Sequence, residues 1–299
     1  MRTFQLILTT LAITGCGLAQ SATSLLGPEL SSFAVLGASA VTNSGPTALG
    51  GDLGVSNNAS ATGITGFFGT LANDGPGTLS GLSHQGDLTA LLADAQLADA
   101  IQSLGLMGPG VTLGADLAGL TLAPGVYTVA AGSSNLSGTL TLDGGGNAQA
   151  YWVFQMPSTL ITSADAVIDI VDTGSGAGVY WNVGSTATLG AGTEFLGNIL
   201  AGADITLHPD VQLGCGRALA HTGAVTLLGN TVDAGGCLGT LVHGSQGLSG
   251  GLTVSALGGA PSALPHSVVS PVPEPAGYAL ILAGLGWIGV VLRRRQPLG

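Results

Sequence analysis

Thr-Leu pairs recur along the chain at a nearly constant interval. The interval is eighteen residues from Thr141 to Thr159 and from Thr188 to Thr206, and twenty from Thr206 to Thr226. Repeats near twenty residues, made of short apolar-alternating strands and Gly or Asn turns, are typical of a stacked β-solenoid, because each coil buries its inward side chains against its neighbours. A β-sandwich with loosely periodic turns is the alternative.

One segment follows a helical pattern instead. The apolar spacing over 87–104 predicts an amphipathic helix of about five turns, with Asp87 as N-cap and Gly105 as the stop. We expect this helix to lie along a sheet face. The predicted contact stripe is Leu88, Leu91, Leu92, Ala95, Ala98 and Ile101.

The N-terminus predicts export. An apolar stretch from Phe4 to Ile13 follows Arg2, and small residues precede a cleavage site after Ala19. Residues 1–19 are therefore a predicted signal peptide, with the mature chain starting near Gln20. A lipobox ending at Cys16 is the competing interpretation.

The C-terminus carries a second targeting segment. Pro273, Glu274 and Pro275 precede an uncharged apolar run at 276–292, which is long enough for a membrane-spanning helix. A basic cluster, which marks the cytoplasmic side, follows the run: Arg293, Arg294 and Arg295.

The block 272–299 resembles the PEP-CTERM sorting signal of Gram-negative bacteria. The resemblance implies a membrane-inserted precursor that crosses the inner membrane transiently. It also implies an exosortase-type enzyme that delivers the protein to the cell surface or its surrounding matrix. An ordinary membrane anchor is the alternative. The preceding residues 239–271 are rich in Gly, Ser, Ala and Pro, which predicts a flexible linker.

The body between these signals is acidic and poor in charge. It contains no lysine, and its single arginine, Arg217, stands against fifteen acidic residues, which gives a net charge of −14. Nucleic acid and anionic lipid are unsuitable partners for such a surface. The hydrophobic content of the full sequence, 45%, is too high for a disordered chain. We therefore predict one folded domain at 20–238.

Several motifs of this body together resemble the ice-binding protein family with a discontinuous β-solenoid. The resemblance implies a mainly β fold, a right-handed three-sided β-solenoid with one long α-helix packed alongside. It also implies ice binding through a flat Thr-rich face, with no catalysis and no cofactor. The motifs are Phe33–Gly37, Val41–Thr47, Gly51–Ser56, His84–Asp87, Leu120–Tyr127, Trp152–Gln155, and Gly197–Ala201 with its echo Gly216–Leu219.

Outward threonines and the family's small-residue loops supply the candidate ice-binding residues. These are Ser44, Thr47, Thr62, Thr65, Thr139, Thr141, Thr186, Thr188 and Thr193. The chain departs from the family's loop pattern at Glu194, which we expect to lie beside the Thr186 and Thr188 grid, and at His208 and Asp210. The alternative function is therefore a non-catalytic extracellular matrix or adhesin protein that keeps the fold without ice affinity.

Catalytic and metal-binding patterns are weak. Gly247–Gly251 matches G-x-S-x-G and Gly284–Gly289 matches G-x-G-x-x-G, but neither stands in the strand-turn-helix context that these motifs require. Asp165, Asp169 and Asp172 fall on two sides of a strand, which favours a solvated face over a calcium or glycosidase site. A carbohydrate-active solenoid enzyme is a third, less favoured function, since acidic sugars require more basic residues than one arginine.

Two cysteines remain after removal of the signal peptide. Cys215 and Cys237 are predicted to form a disulfide, as expected for an exported protein. Zinc binding with His208 or His221 would lack the usual close ligand pairs, so no metal site is predicted.

Overall fold

The structure is a computed structural model that describes residues 23–132, 134–235, 247–255 and 258–267. The predicted signal peptide, Cys16, Cys237 and the sorting signal with its span at 276–292 lie outside these ranges. Within them, the chain has no helix that is both long and apolar enough to cross a membrane.

Most strands belong to three parallel sheets, and strands are numbered here in chain order. Sheet 1 has nine strands, in the spatial order β8 (Ser83–Gln85), β5 (Asp52–Val55), β2 (Phe33–Gly37), β22 (Ala218–Ala220), β19 (Asn198–Ala201), β16 (Gly178–Val183), β13 (Tyr151–Met156), β11 (Gly125–Val129) and β9 (Val111–Leu113). Sheet 2 has six, in the order β14 (Leu160–Ile161), β17 (Ala187–Leu189), β20 (Ile205–Leu207), β23 (Val225–Leu227), β3 (Val41–Asn43) and β6 (Ile64–Thr65).

Sheet 3 has eight strands, in the order β10 (Thr121–Leu122), β12 (Thr139–Asn147), β15 (Val167–Thr173), β18 (Glu194–Leu196), β21 (Gln212–Gly214), β24 (Thr231–Asp233), β4 (Ala48–Gly50) and β7 (Thr78–Leu79). The remaining elements are a short 3₁₀ helix (Leu30–Ser32), the helix α1 (Leu88–Gly105), and a small antiparallel sheet of β1 (Thr23–Ser24), β25 (Leu252–Val254) and β26 (Ser262–Ala263).

From β13 onward the chain visits sheets 1, 2 and 3 in turn and then returns to sheet 1. Thr188 pairs with Thr206, and Thr206 pairs with Thr226, so the Thr-Leu interval is the length of one coil. The predicted stacking of parallel strands is confirmed, and the β-sandwich alternative is wrong. The right-handed, three-sided form of the coil stays a prediction.

The stack is not continuous in sequence. The first complete coil, β2 to β4, pairs with the last, β22 to β24: Val35 faces Ala218, Val41 faces Val225 and Ala48 faces Thr231. The N-terminal strands therefore extend the far end of the stack.

Helix α1 carries the chain back along the stack. Edge strands β8 and β9 lie at opposite ends of sheet 1, about 38 Å apart at about 4.8 Å per strand. The 18 helical residues rise about 27 Å of that distance. The helix begins as predicted, because the Asp87 carboxylate accepts the N–H of Ala90 at 2.9 Å. It ends one residue later than predicted, with Gly105 helical and Leu106 as C-cap.

The predicted contact face of α1 is wrong at its leucines, whereas Ile101 is partly buried against the helix-sheet cluster, as predicted. Leu88, Leu91 and Leu92 are 70%, 46% and 44% exposed. The buried helical residues are instead Ala90, Ala93, Leu97, Ala100 and Leu104. They pack in one cluster with Val153, Tyr180, Leu200 and Leu219 on the outer face of sheet 1. Three of the five are alanines, whose small side chains let the helix axis approach the sheet closely.

Aromatic side chains fill the interior at the middle of the stack. The rings of Phe154 and Trp181 stack with centroids 3.9 Å apart, and Tyr127 and Phe195 extend the row on either side. Trp181 satisfies its indole N–H by donating to the Leu196 carbonyl at 3.0 Å. Tyr127, Phe154 and Trp181 thus stack from one coil to the next, and Phe195 packs at a tilt against Trp181 within the same coil.

The expectation of a flexible linker at 239–271 is wrong for 247–255 and 258–267. Strand β25 pairs with β1 and β26, and Leu248 and Leu252 are buried. The Asn198 side chain donates to the Leu248 carbonyl at 2.9 Å. The compact unit therefore extends to Ser267 rather than ending at 238.

Arg217 joins three distant segments. Its guanidinium donates to the Ser31 carbonyl at 2.7 Å, the Asn198 side-chain oxygen at 2.8 Å and the Gly247 carbonyl at 3.1 Å. Burial lowers the pKa of Arg217 to about 10, so the group stays cationic at neutral pH. Arg217 therefore has a structural role, because its hydrogen bonds hold these three segments together.

Cys215 is buried and disulfide-bonded. Cys237 lies outside the described residues. The pairing of these two cysteines stays a prediction.

Two phenylalanines test the interior stack. Phe154→Ala should lower the free energy of unfolding by about 3–5 kcal/mol, because it removes a ring that is fully buried between Tyr127 and Trp181. The matched control Phe68→Ala, at a position 69% exposed, should change it by less than about 1 kcal/mol. Urea denaturation of the exported domain measures both, and equal losses would contradict the packing described.

Candidate functional site

Two of the three sheets have an outer face that is free of the helix. Helix α1 covers the outer face of sheet 1, as described above. Sheets 2 and 3 alternate buried inward residues with partly or fully exposed outward residues. These two faces are where a partner can be bound.

Sheet 2 carries a row of five threonines in register, one per strand, which we call the Thr row. Each has a more deeply buried residue before it, and Thr188, Thr206 and Thr226 have a buried residue after them as well, so the side chains point outward. At about 4.8 Å between strands the row is about 19 Å long. Its members, in spatial order, are Thr188, Thr206, Thr226, Thr42 and Thr65, and Ile161 occupies the equivalent place on the edge strand β14.

The Thr row rests on a continuous apolar layer. Residues on both sides of Thr188, Thr206 and Thr226, such as Ile205 and Leu207, are buried in the main hydrophobic core, and so are Val41 and Ile64, which precede Thr42 and Thr65. A β-branched side chain on such a support has few rotamers available. The hydroxyl and methyl groups of the row are therefore held in fixed positions.

Both margins of the Thr row contain a polar residue that is not threonine. Backbone hydrogen bonds align Thr186 with Asp204, and Asp204 with Ala224. The Asp204 carboxylate is held in its turn, where it accepts the N–H of Ala224 at 2.8 Å. On the opposite margin stands His208, an exposed residue in the turn after β20.

The outer face of sheet 3 is mixed. Thr139 pairs with Val167, which pairs with Glu194, and Thr141 pairs with Asp169. The two predicted threonines therefore lie among apolar and acidic side chains. Glu194 belongs to this face, in β18, so the expectation that it lies beside the Thr186 and Thr188 grid is wrong.

Two candidate threonines are buried, and their prediction as ice-contacting residues is wrong. The Thr193 hydroxyl, with no exposed surface, donates to the Gly190 carbonyl at 2.7 Å and lies 3.0 Å from the Thr162 hydroxyl. Thr47, which is 1% exposed, donates to Asn43 and accepts the N–H of Asn230 at 3.0 Å. The hydrogen bonds of both residues stabilise turns that lead from sheet 2 to sheet 3.

The remaining candidates divide between the row and its surroundings. Thr65 and Thr188 belong to the Thr row, and Thr186 stands at its margin. Ser44 and Thr62 are exposed in the turns after β3 and before β6, where the Thr62 hydroxyl lies 2.8 Å from that of Ser60.

Three members of the row were missed as site residues. Thr206 and Thr226 belong to the Thr-Leu repeat. Its nearly constant interval was the sequence signal that could have placed both residues in one row with Thr188. Thr42 had no such signal, because it joins the row only through the pairing of β3 with β23.

The described residues hold no group of three or more His, Cys, Asp or Glu side chains placed to bind a metal ion. Asp165 and Asp172 have positive φ angles of 56° and 49°, which are typical of turn residues, and Asp169 lies on the outer face of sheet 3. The Gly247–Gly251 motif packs against the body, where its carbonyl groups accept from Arg217 and Asn198.

Comparison with known proteins agrees with these observations. Residues 35–233 match the family described as Ice-binding-like, and residues 271–295 match the PEP-CTERM protein-sorting motif. An ice-binding protein of Nostoc sp. (strain HG1) is 44% identical over 211 residues, which cover 70% of this chain and 74% of that protein. An ice-binding protein of Leucosporidium sp. (strain AY30) is 32% identical over 208 residues, which cover 64% and 77%.

A solved structure gives the same result for the fold. The crystal structure of an ice-binding protein from the Antarctic ascomycete Antarctomyces psychrotrophicus superimposes with a TM-score of 0.63 at 34% identity. The match covers 74% of this chain and 100% of the ascomycete protein chain.

Substitution of a buried turn threonine and of an outward threonine of the Thr row should affect stability differently. Thr193→Val should lower the free energy of unfolding by about 1–3 kcal/mol, because it leaves the Gly190 carbonyl and the buried Thr162 hydroxyl without this partner. Thr188→Val, on the outer face, should change it by less than about 0.5 kcal/mol. Urea unfolding of both variants measures the difference, and a larger loss at Thr188 would contradict the assignment of the two residues.

Proposed function

Because the chain belongs to the ice-binding-like family, we propose that it is an exported, non-catalytic protein that adsorbs to ice through the outer face of sheet 2. The observation that supports this choice of face is the Thr row. We propose in addition that the coils form the right-handed, three-sided solenoid that the sequence resemblance implies.

The geometry of the Thr row suits an ordered water surface. Hydroxyl and methyl groups repeat at the strand spacing of about 4.8 Å and are fixed by the buried layer beneath them. A regular array of this kind can hold water molecules in an ice-like arrangement. Because the array is already rigid, little side-chain entropy is lost on adsorption.

The low charge of the body supports the same function. A charged side chain organises its own hydration shell, which competes with the order of the ice lattice. The five members of the row are uncharged, and the row faces away from Glu194 and Asp169 on sheet 3. Glu194 and Asp169 thus lie outside the proposed contact, whereas Asp204 stands at its margin.

A second candidate function is supported by the margins of the row. Asp204 and His208 interrupt the small, uncharged surroundings that an extended ice contact requires. A matrix or adhesin protein that has kept the fold without ice affinity would tolerate these residues. The experiment below separates the two functions.

We also propose the export route that the termini predict. The signal peptide 1–19 is removed, the segment 276–292 crosses the inner membrane transiently, and an exosortase-type enzyme recognises the PEP-CTERM motif. The final location is the cell surface or the surrounding matrix. Lipidation at Cys16 remains the competing form of N-terminal processing.

Tyrosine scanning tests the proposed face. Thr206→Tyr, in the centre of the row, should abolish ice adsorption because a large outward ring prevents flat contact with ice. The matched control is Thr141→Tyr, at a half-buried outward position on sheet 3, which should keep full activity. Thermal hysteresis and partition of purified protein into slowly growing ice measure both, with circular dichroism to confirm the fold.

Three outcomes of this experiment count against the proposal. Loss of activity in Thr141→Tyr with retention in Thr206→Tyr would move the site to sheet 3. Retention in both variants would exclude both faces. A wild-type protein that never enters the ice fraction would leave the matrix function in place of ice binding.

The mass of the mature protein tests the proposed cleavage at both ends of the chain. Protein recovered from the cell surface of a host that contains an exosortase should lack residues 1–19 and the cluster at 293–295. Intact-mass spectrometry measures both ends, and surface protein that retains the arginine cluster would refute the sorting step. A mass that starts at a lipid-modified Cys16 would refute cleavage after Ala19.

A further inference from the structure

One end of the stack is formed by residues 64–85, which we call the end coil. It contains β6, β7 and β8, and these are the last strands of sheets 2, 3 and 1. A strand at the edge of a sheet has N–H and C=O groups on its outer side that can pair with a further strand. Within the described residues, no strand pairs with the outer side of the end coil. This end of the stack can therefore accept another strand edge.

Large apolar side chains are exposed on the end coil. Phe68 and Leu71, in the connection from β6 to β7, are 69% and 67% exposed, and Leu82, in the turn before β8, is 67% exposed. In soluble solenoids, a terminal repeat that faces water has a polar outer surface. The three apolar side chains therefore indicate an end that is covered in the functional protein.

The end coil carries little charge. Its one carboxylate is that of Asp74, which accepts the N–H of Gly66 at 2.6 Å. Its one histidine is His84, whose Nδ1 lies 2.8 Å from the Asp87 carboxylate. Two copies of a body with a net charge of −14 repel each other, and the repulsion is weakest where acidic groups are fewest. The low charge of the end coil therefore favours it as the place of contact between two copies.

From these observations we propose that two copies of the chain associate through their end coils, about a two-fold axis, to form a homodimer. A second copy supplies what the end coil lacks, namely three strand edges and an apolar surface of the same composition. A two-fold contact closes the assembly at two copies, because each copy uses the same residues. The end coil, 64–85, has 22 residues, which is within the about 20–30 residues per side of a standard interface.

Two other apolar surfaces are less suited to this contact. The outer side of α1 exposes Leu91 and Leu92, but it also exposes the Asp99 carboxylate, and its backbone groups are paired within the helix. At the opposite end of the stack, Val111 on β9 is the exposed large apolar residue of the edge strands β9, β10 and β14. That end has a smaller exposed apolar surface than the end coil.

The dimer lengthens the proposed ice-binding surface. Thr65, the last member of the Thr row, lies on β6 in the end coil itself. Pairing of β6 with its copy joins the two sheets 2, so the two rows of five threonines meet end to end. Ten threonines at about 4.8 Å extend over about 43 Å. This consequence rests on the proposed function of sheet 2, whereas the dimer does not.

The oligomeric state of the purified exported protein tests the dimer. Sedimentation velocity from micromolar to submillimolar concentration should show the wild type passing from monomer to dimer. Phe68→Asp and Leu82→Asp should each raise the dimer dissociation constant by at least about tenfold, because each places a carboxylate in the apolar contact. The matched controls Val111→Asp, at the opposite end, and Leu91→Asp, on α1, should dimerise as the wild type does.

Three results would overturn the inference. They are a wild type that is monomeric at every concentration, a dimer that both end-coil variants leave intact, and loss of the dimer in either control. All four substitutions are at exposed positions, and circular dichroism establishes that each variant is folded.

Partition into ice separates this inference from the proposed function. Thr206→Tyr should dimerise normally and stay out of the ice, whereas Phe68→Asp should enter the ice as a monomer, with lower thermal hysteresis per protomer. A wild-type dimer that never enters ice would defeat the proposed function alone. A wild-type protein that enters ice as a monomer would defeat the dimer alone.

Discussion

The in-register stacking of parallel strands determines almost every other feature of this protein. Each residue of a coil lies directly above the equivalent residue of the next, so a residue type that recurs once per coil becomes a row. Inside, this rule produces the apolar layer and the stack of Phe154 and Trp181. Outside, the same rule produces the Thr row of sheet 2. The buried apolar layer and the exposed Thr row thus both result from the same coil repeat.

The periodicity also explains what sequence could and could not predict. The interval between Thr-Leu pairs gave the coil length, because it is a local property of consecutive repeats. The pairing of Thr42 with Thr226 was not predictable, since it joins strands that are far apart in sequence. The contact face of α1 was assigned wrongly because hydrophobicity alone favours Leu88, Leu91 and Leu92, whereas close packing on a sheet favours Ala90, Ala93 and Ala100. Thr193 was misassigned because a turn can point a small polar side chain inward as easily as outward.

One group of buried polar contacts lies where three segments of the chain meet. Arg217 meets Ser31 near the N-terminus, Asn198 in the stack and Gly247 in the C-terminal segment. Burial of a guanidinium is acceptable there because oxygen atoms accept its N–H groups. Burial also raises the pKa of the adjacent Tyr180, whose hydroxyl donates to the Gly250 carbonyl at 2.8 Å. Among the residues that the structure describes, Arg217 is the one Lys or Arg side chain, and it stands where three segments meet.

The pairing of the first coil with the last has a consequence for the order of folding. Strands β2, β3 and β4 are synthesised early, but their partners β22, β23 and β24 are more than 180 residues later in the chain. Each early strand therefore presents one unpaired edge until those residues are available, and such edges are prone to wrong pairing. Growth of the stack coil by coil from the N-terminus is not available to this topology, and closure must wait for the last coil. The rigid surface can therefore be completed only if the early edge stays free of wrong partners until the last coil has formed.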